Sequence, residues 1–345
     1  MPKTILIVGA TGKQGKALVN ALCPLDQDAS KDQPAESHPF RILALTRNAS
    51  SPTGQLLAKE KHVEVVEGDL DSPESIRKIF EAAKDTGGIW GVFCVLAYPG
   101  LGANADGEER QGKMMADLAL EYGVSTYIYS SSERGGDKND DNERLSGRAK
   151  VSIERHIKGF PDRGMSWIIM RPGFFLDNFE GFMGSITVAV FKSGLGPDSC
   201  LGVVDSVDVG SVAAAIFQNP EKYKHKELVV IGDVLTMSQQ QDIYKRTTGR
   251  PLPAIPSFLA RLLLIINKPT HDLVQHFEKL HYLRKSGQHD RFPAQLQLGR
   301  EAYPGIKSFE SWALGQNNKS DTSRKGAWDG GWNKVSLWRL VTGKT

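Results

Sequence analysis

Lys3-Thr4-Ile5-Leu6-Ile7-Val8 is an apolar run of strand length, followed at once by Gly9-Ala10-Thr11-Gly12-Lys13-Gln14-Gly15 and a helix-period stretch to Leu22. Strand, glycine loop and helix in that order constrain the fold more than any other feature of the chain. The first glycine allows a tight turn, the second a close backbone approach to a pyrophosphate, and the third close packing of helix on strand. The helix start then turns unpaired amides and a partial positive charge towards phosphate groups. Gly9, Thr11, Gly12, Lys13, Gln14 and Gly15 are therefore candidate cofactor-binding residues, and a dinucleotide is the expected ligand.

The rest of the chain supports that frame. Apolar runs at 41–46, 63–67, 91–96, 126–130, 166–170 and 227–231 alternate with helix-period stretches at 15–22, 73–84, 108–122 and 149–157. This is the rhythm of repeated βαβ units, so an α/β, Rossmann-type, doubly wound parallel sheet is expected. Residues 1–172 form the expected dinucleotide-binding domain, its sheet completed by the strand near 227–231. Residues 173–315 are expected to form a smaller, mostly helical lobe for a substrate or partner. Residues 316–345 read as a partly disordered tail in which Trp328, Trp332 and Trp338 mark a segment that docks on the body or on a partner. Two polar stretches, 26–39 and 133–145, read as exposed loops, the second of them mobile.

Composition excludes other classes. A formal charge of +3 over 345 residues demands no basic face for direct nucleic-acid binding. Cys23, Cys94 and Cys200 lack the paired spacing of a zinc site or a disulfide framework, and the histidines lack ligand spacing, so no metal is expected. The apolar run 262–266 is far shorter than the roughly twenty residues a membrane span needs, and reads as a buried helix. The start of the chain enters a strand directly, without a long apolar signal region. A cytoplasmic protein is expected, with a nuclear location also open.

The second strand ends in Thr46-Arg47, where NAD-selective proteins place an acid. A guanidinium there pairs with a 2′-phosphate, which favours NADP(H) over NAD(H); the alternative is a solvated surface arginine. Lys13 adds a second positive contact. In Gly68-Asp69-Leu70, Asp69 either receives the adenine amino group or caps a turn before Ser72-Pro73. Leu96 and Ala97 end the fourth strand at the crevice edge.

Taken together, Gly9 to Gly15, Thr46-Arg47, Gly68-Asp69-Leu70, Lys150 with Glu154, and Arg171-Pro172-Gly173-Phe174-Phe175 with Asn178 resemble the NmrA-like branch of the atypical short-chain dehydrogenases, over residues 3–315. The resemblance implies a Rossmann protein that binds NADP(H) or, with lower affinity, NAD(H). Such proteins include reductases and also redox-sensing regulators that bind transcription factors. Short-chain dehydrogenases use a Tyr-x-x-x-Lys pair, whose lysine tunes the phenol and holds the nicotinamide ribose. Here Lys150 has Ser146 four residues earlier, and the tyrosine is missing. Isoflavone-reductase-like relatives rely on the lysine alone, so Lys150 is the expected ribose-binding and proton-transfer residue. Ser131, at the end of the fifth strand, is the candidate for orienting a carbonyl, or else a loop-forming serine. Phe174, Phe175, Phe179 and Phe182 either line an apolar substrate site or belong to the core. Arg171-Pro172-Gly173 reads either as a turn that fixes the crevice wall or as a direct substrate contact, and Asp205 and Asp208 read as structural. The expected function is an NADP(H)-dependent oxidoreductase acting on a small carbonyl or conjugated substrate. The alternative is a non-catalytic sensor that regulates a protein partner such as a transcription regulator.

Overall fold

A computed structural model of the chain describes residues 2–23, 38–160 and 164–318. Its first half runs β1 (Lys3–Val8), α1 (Lys13–Leu22), β2 (Phe40–Thr46), α2 (Pro52–Leu57), β3 (Val63–Glu67), α3 (Pro73–Lys84), β4 (Gly91–Cys94), α4 (Asp106–Glu121), β5 (Thr126–Ser130), α5 (Leu145–Lys158) and β6 (Ser166–Pro172). The second half runs β7 (Phe174–Phe175), α6 (Gly181–Gly194), β8 (Cys200–Val204), α7 (Ser206–Gln218), α8 (Pro220–Tyr223), β9 (Lys226–Val230), β10 (Asp233–Thr236), α9 (Met237–Thr248), α10 (Ser257–Ile266), α11 (Lys268–Lys285), α12 (Phe292–Ala302) and α13 (Phe309–Asn318).

Seven strands form one sheet in the order β3-β2-β1-β4-β5-β6-β9, and every pairing is parallel. Strand alternation divides its side chains between two layers. Ile5 and Ile7 pack with α1 and α7 on one face, while Leu6 and Val8 pack with α3, α4 and α5 on the other. The strand order reverses between β1 and β4, which opens a crevice at the carboxyl ends of these strands, where α/β sheets bind ligands. This is the Rossmann-type doubly wound fold that the chain's alternating pattern implies.

The region after Pro172 holds the helices α6 to α13 and the last strand of the main sheet, β9. It contains a second sheet, β10-β8-β7, whose core partners are α6, α9, α10, α11 and α13. These strands have two to five residues and only β8 is mostly buried, so they carry no long alternating signature. The stretch 133–145 is not a mobile loop. It includes a 3-10 turn, Asp137–Asn142, and Glu133, Arg134, Asn139 and Asp140 are all buried. The helix α10, expected to be buried, exposes much of its apolar surface. The proposed aromatic substrate wall belongs largely to the core: the Phe174 ring lies 5.1–5.4 Å from those of Phe179, Phe191 and Phe277, whereas Phe182 is exposed. The expected loop 26–39 lies almost wholly outside the described residues, as does the Trp-bearing tail from 319 onward.

Candidate dinucleotide and catalytic site

The glycine loop has the geometry its spacing implies. Gly9 takes φ +79°, and a Cβ there would lie 2.6 Å from the Val95 carbonyl oxygen. A Cβ on Gly15 would stand 2.3 Å from the Gly9 oxygen, so any side chain would push the helix off the loop. Gly12 begins α1 in extended conformation, donates its N–H to Gly9 O at 2.9 Å, and accepts from Lys16 N–H at 2.9 Å. The helix start has no side-chain cap and no acidic residue in its first turn. Its amides and dipole therefore face the crevice uncompensated, a combination suited to an anion.

Flanking residues fix the loop to its surroundings. Ser130 Oγ, at the end of β5, donates to Gln14 Oε1 at 2.7 Å. Lys13 Nζ lies 3.0 Å from Asp177 Oδ1, in the turn that follows β7, so the lysine expected beside a phosphate is held by a carboxylate. Thr11 is partly exposed on the loop itself. Arg47 is exposed just beyond β2; it makes no hydrogen bond or ion pair among the described residues and feels the field of Asp71. Asp69 receives the Asp71 N–H at 3.0 Å and donates its own N–H to Ser75 Oγ at 2.9 Å. The turn-capping alternative is thus realised at Asp69, with Leu70 half-buried beside it. Leu96 is buried and Ala97 exposed where the chain leaves β4.

Lys150 sits on the inner face of α5, at i+4 from Ser146 and i−4 from Glu154, so these polar groups share one face. Its ammonium pairs with Glu108 in the first turn of α4, and Ser146 Oγ donates to the other Glu108 oxygen at 2.6 Å. Glu108 is 5% exposed. The Lys150 charge also lowers the proton affinity of Cys94, at the end of β4, although burial pushes that thiol up to about 12. Helices α4 and α5 meet just beyond β4, for a Cβ on Gly112 of α4 would lie 2.4 Å from Ile153 and 3.1 Å from Leu96, so in the strand order Lys150 and Arg47 lie on opposite sides of the glycine loop. Ser131 is buried at the end of β5, and its Oγ lies 3.5 Å from Arg134 Nη1.

Beneath this cluster lies a buried ionic network. Arg134 gives both terminal nitrogens to Glu154 at 2.6 and 2.8 Å and its Nε to Asp140 at 2.9 Å. Arg171 donates to Glu154 and Asp137, each at 2.6 Å, and lies 3.3 Å from Glu227. Arg171 is fully buried and its guanidinium is committed to these carboxylates. Asp205 caps α7 through Val207 N–H at 3.0 Å, and Asp208 accepts Lys307 N–H at 2.8 Å. The thiol of Cys23 is pushed up to about 11 by burial, and all three cysteines are free. No group of metal-ligating side chains occurs among the described residues, and no helix there is long and apolar enough to cross a membrane.

Glu108 escaped the sequence reading. It shares a helix start with Asp106 and Glu109, where acids are expected for dipole reasons alone. Only the register of α4 against α5 singles it out.

Comparison with known proteins agrees with this architecture. An NmrA-like family domain-containing protein of Dictyostelium discoideum is 25% identical over 266 residues, covering 72% of this chain and 79% of its own length. An NmrA-like family domain-containing oxidoreductase of Aspergillus flavus is 24% identical over 280 residues, covering 75% and 78%. The crystal structure of NmrA, a negative transcriptional regulator, in complex with NADP superposes with a TM-score of 0.66 at 18% identity, covering 96% of this chain and 99% of that one. Residues 1–278 match the NmrA-like family, and the chain belongs to it.

Proposed function

We propose that the protein is an NADP(H)-dependent oxidoreductase acting on a small carbonyl or conjugated substrate. The observation that carries this reading is the order of groups along the carboxyl edge of the sheet. Arg47 follows β2, the glycine loop and uncapped α1 follow β1, and Lys150 stands on α5, which meets α4 just beyond β4. That order suits a 2′-phosphate, a pyrophosphate and a nicotinamide ribose in turn. The cradle fits such a ligand because Gly9 and Gly15, where a Cβ would collide with backbone, keep the loop packed tightly on β4 and α1, and the uncapped start of α1 is left to meet the phosphates. When bound, the nicotinamide would supply or accept hydride. Lys150 would then exchange its contact with Glu108 for the ribose hydroxyls, and would move or hold a proton at its Nζ. Until that exchange the buried Glu108 holds the ammonium at the start of α4.

The test is a fluorescence titration with NADPH and NADH, followed by NADPH oxidation with a panel of aldehydes, ketones and enones. Tighter binding of NADPH, a preference lost in Arg47→Ala, and turnover lost in Lys150→Ala are expected. Failure of wild-type protein to bind either dinucleotide would overturn the reading.

A second reading, a cofactor sensor that regulates a protein partner such as a transcription regulator, is favoured by the missing phenol. Ser146 is hydrogen-bonded to Glu108, and burial keeps the Tyr127 and Tyr129 phenols well above their ordinary range. Burial, together with the charge of Glu108, likewise pushes the Tyr98 phenol up to about 12, so among the described residues no lowered phenol accompanies Lys150. A sensor requires partner affinity that differs between NADPH- and NADP-bound states. Equal affinity in the two states excludes it.

A further inference from the structure

The helix α10 turns an apolar stripe towards solvent. Phe258, Leu262 and Ile265 recur at i, i+4 and i+7, on one helical face, and are 68%, 50% and 80% exposed. Leu259 and Ile266 extend the patch. The opposite side is already occupied: Ala260 is fully buried, and Leu263 and Leu264 pack into the core shared with α6 and α11. The helix is therefore apolar all round, and Arg261 is its only charged residue. A contiguous apolar face of this kind marks an interaction surface.

The continuation of this same chain leaves the fold beside that face. Near the end of α13, Gln316 Nε2 donates to Glu180 Oε1 at 3.0 Å. Two residues further along is the exposed Phe182, in the first turn of α6. Ser185, in the next turn, accepts the Ile255 N–H at 3.1 Å, just ahead of α10. The two helices run alongside each other from there, for a Cβ on Gly194, at the far end of α6, would lie 3.2 Å from the Leu264 side chain. The start of α6 thus joins the point where the described chain stops to the point where the stripe begins, with the exposed Phe182 between Glu180 and Ser185.

Residues 319–327 (Lys-Ser-Asp-Thr-Ser-Arg-Lys-Gly-Ala) contain no large apolar side chain. Trp328, Trp332, Val335, Leu337, Trp338, Leu340 and Val341 follow. A connection of this length spans up to about 30 Å when extended, whereas α10 is about 15 Å long, so Trp328 can reach any point of the stripe. Lys334 and Arg339 outnumber Asp329, the only acid between 328 and 341, and α10 carries only Arg261, so the match is apolar rather than ionic.

We propose that residues 328–341 cover the outward face of α10 within the same molecule, with Trp328 and Trp332 over Phe258, Leu262 and Ile265. Aromatic side chains bury large apolar areas, and this segment supplies them where the fold leaves such area open. The inference is independent of the proposed activity.

The experiment places p-benzoylphenylalanine at Leu262 in the full chain and maps photo-adducts by mass spectrometry, with and without phosphatidylserine vesicles. Adducts to peptides within 328–341, in monomeric protein, are expected in both conditions. Adducts joining two chains, adducts to lipid without any to the tail, or no tail adduct at all would overturn the proposal. A second variant guards against a local artefact. Ile265→Glu, at a position already largely exposed, is expected to raise tryptic cleavage at Lys334 and Arg339 about tenfold while leaving thermal unfolding of the body unchanged. An unchanged cleavage rate would count equally against it.

Discussion

At the scale of single residues, the pairing of Glu108 with Lys150 is the most consequential contact in the site. Glu108 is almost fully buried and 14% of the Lys150 side chain reaches solvent, so breaking the pair strands a charge that water can only partly recover. Removing one partner of a fully buried pair costs about 3–5 kcal/mol, and the partial access of Lys150 reduces that here to about 1–2 kcal/mol. Glu108→Gln keeps an acceptor for Ser146 and isolates the ionic part. We expect denaturant unfolding of Glu108→Gln, Lys150→Met and the double variant to give a coupling energy of about 1–2 kcal/mol; strict additivity would contradict a direct interaction. The glycines were readable from sequence because backbone geometry allows little else at those positions. Glu108 was not, because a carboxylate's partner lies on another helix and no local spacing encodes it. Lys13 shows the same limit: its place in the loop is legible, but its bond to Asp177 requires the fold.

At the scale of elements, the stretch 133–145 and α5 form a rigid ionic unit. A high density of charge reads as solvent-exposed chain, since Lys, Glu, Arg and Asp are rarely buried unless paired. Here they are paired: burial alone would push the Glu154 carboxyl up, but Arg134 and Arg171 hold it well below the usual carboxylate range. Glu154→Gln leaves two guanidinium groups short of their anion, and a loss of about 3–5 kcal/mol in denaturant unfolding is expected. A loss below about 1 kcal/mol would show the network to be dispensable. Glu143 behaves in the opposite sense. Burial raises its carboxyl from 4.5 to about 7, only partly opposed by Lys279 and Arg134. Its folded form therefore retains a proton that the unfolded chain releases, and stability contributed by this group is complete below pH 4.5 and is lost as pH rises to about 7. Glu143→Gln should leave stability nearly unchanged at pH 5 and raise it by about 1–2 kcal/mol at pH 8, allowing for partial exposure of the group. Thermal unfolding of both proteins across that range would reveal the widening gap; a constant difference would contradict it. The parallel sheet itself was legible because buried strands and amphipathic helices alternate at regular intervals. The strands β8 and β10 were not, since each is short and owes its pairing to a partner distant in sequence.

At the scale of the whole molecule, the glycine loop is gripped by parts of the chain that come after residue 172. The helix α7 packs so closely on α1 that a Cβ on Gly210 would lie 2.5 Å from the Leu18 nitrogen. Asp177 holds Lys13 at 3.0 Å while its other oxygen accepts the Ser206 N–H at 3.3 Å, linking the loop to the start of α7. Lys307 joins Asp205 at 2.9 Å at that same helix start. A ligand phosphate that draws Lys13 away must therefore compete with Asp177. Because 56% of the Lys13 side chain is exposed, the competing pair is worth at most about 1 kcal/mol, or roughly a fivefold factor in affinity. Asp177→Asn removes the competing charge while keeping an acceptor for Ser206. It is expected to bind NADPH roughly two- to fivefold more tightly than wild type in a direct titration, and Lys13→Met should abolish the gain. Equal affinity of wild type and Asp177→Asn would mean that Lys13 stays with Asp177 when the dinucleotide binds. A gain that survives Lys13→Met would instead trace to the net negative charge of Asp177 acting on the ligand directly.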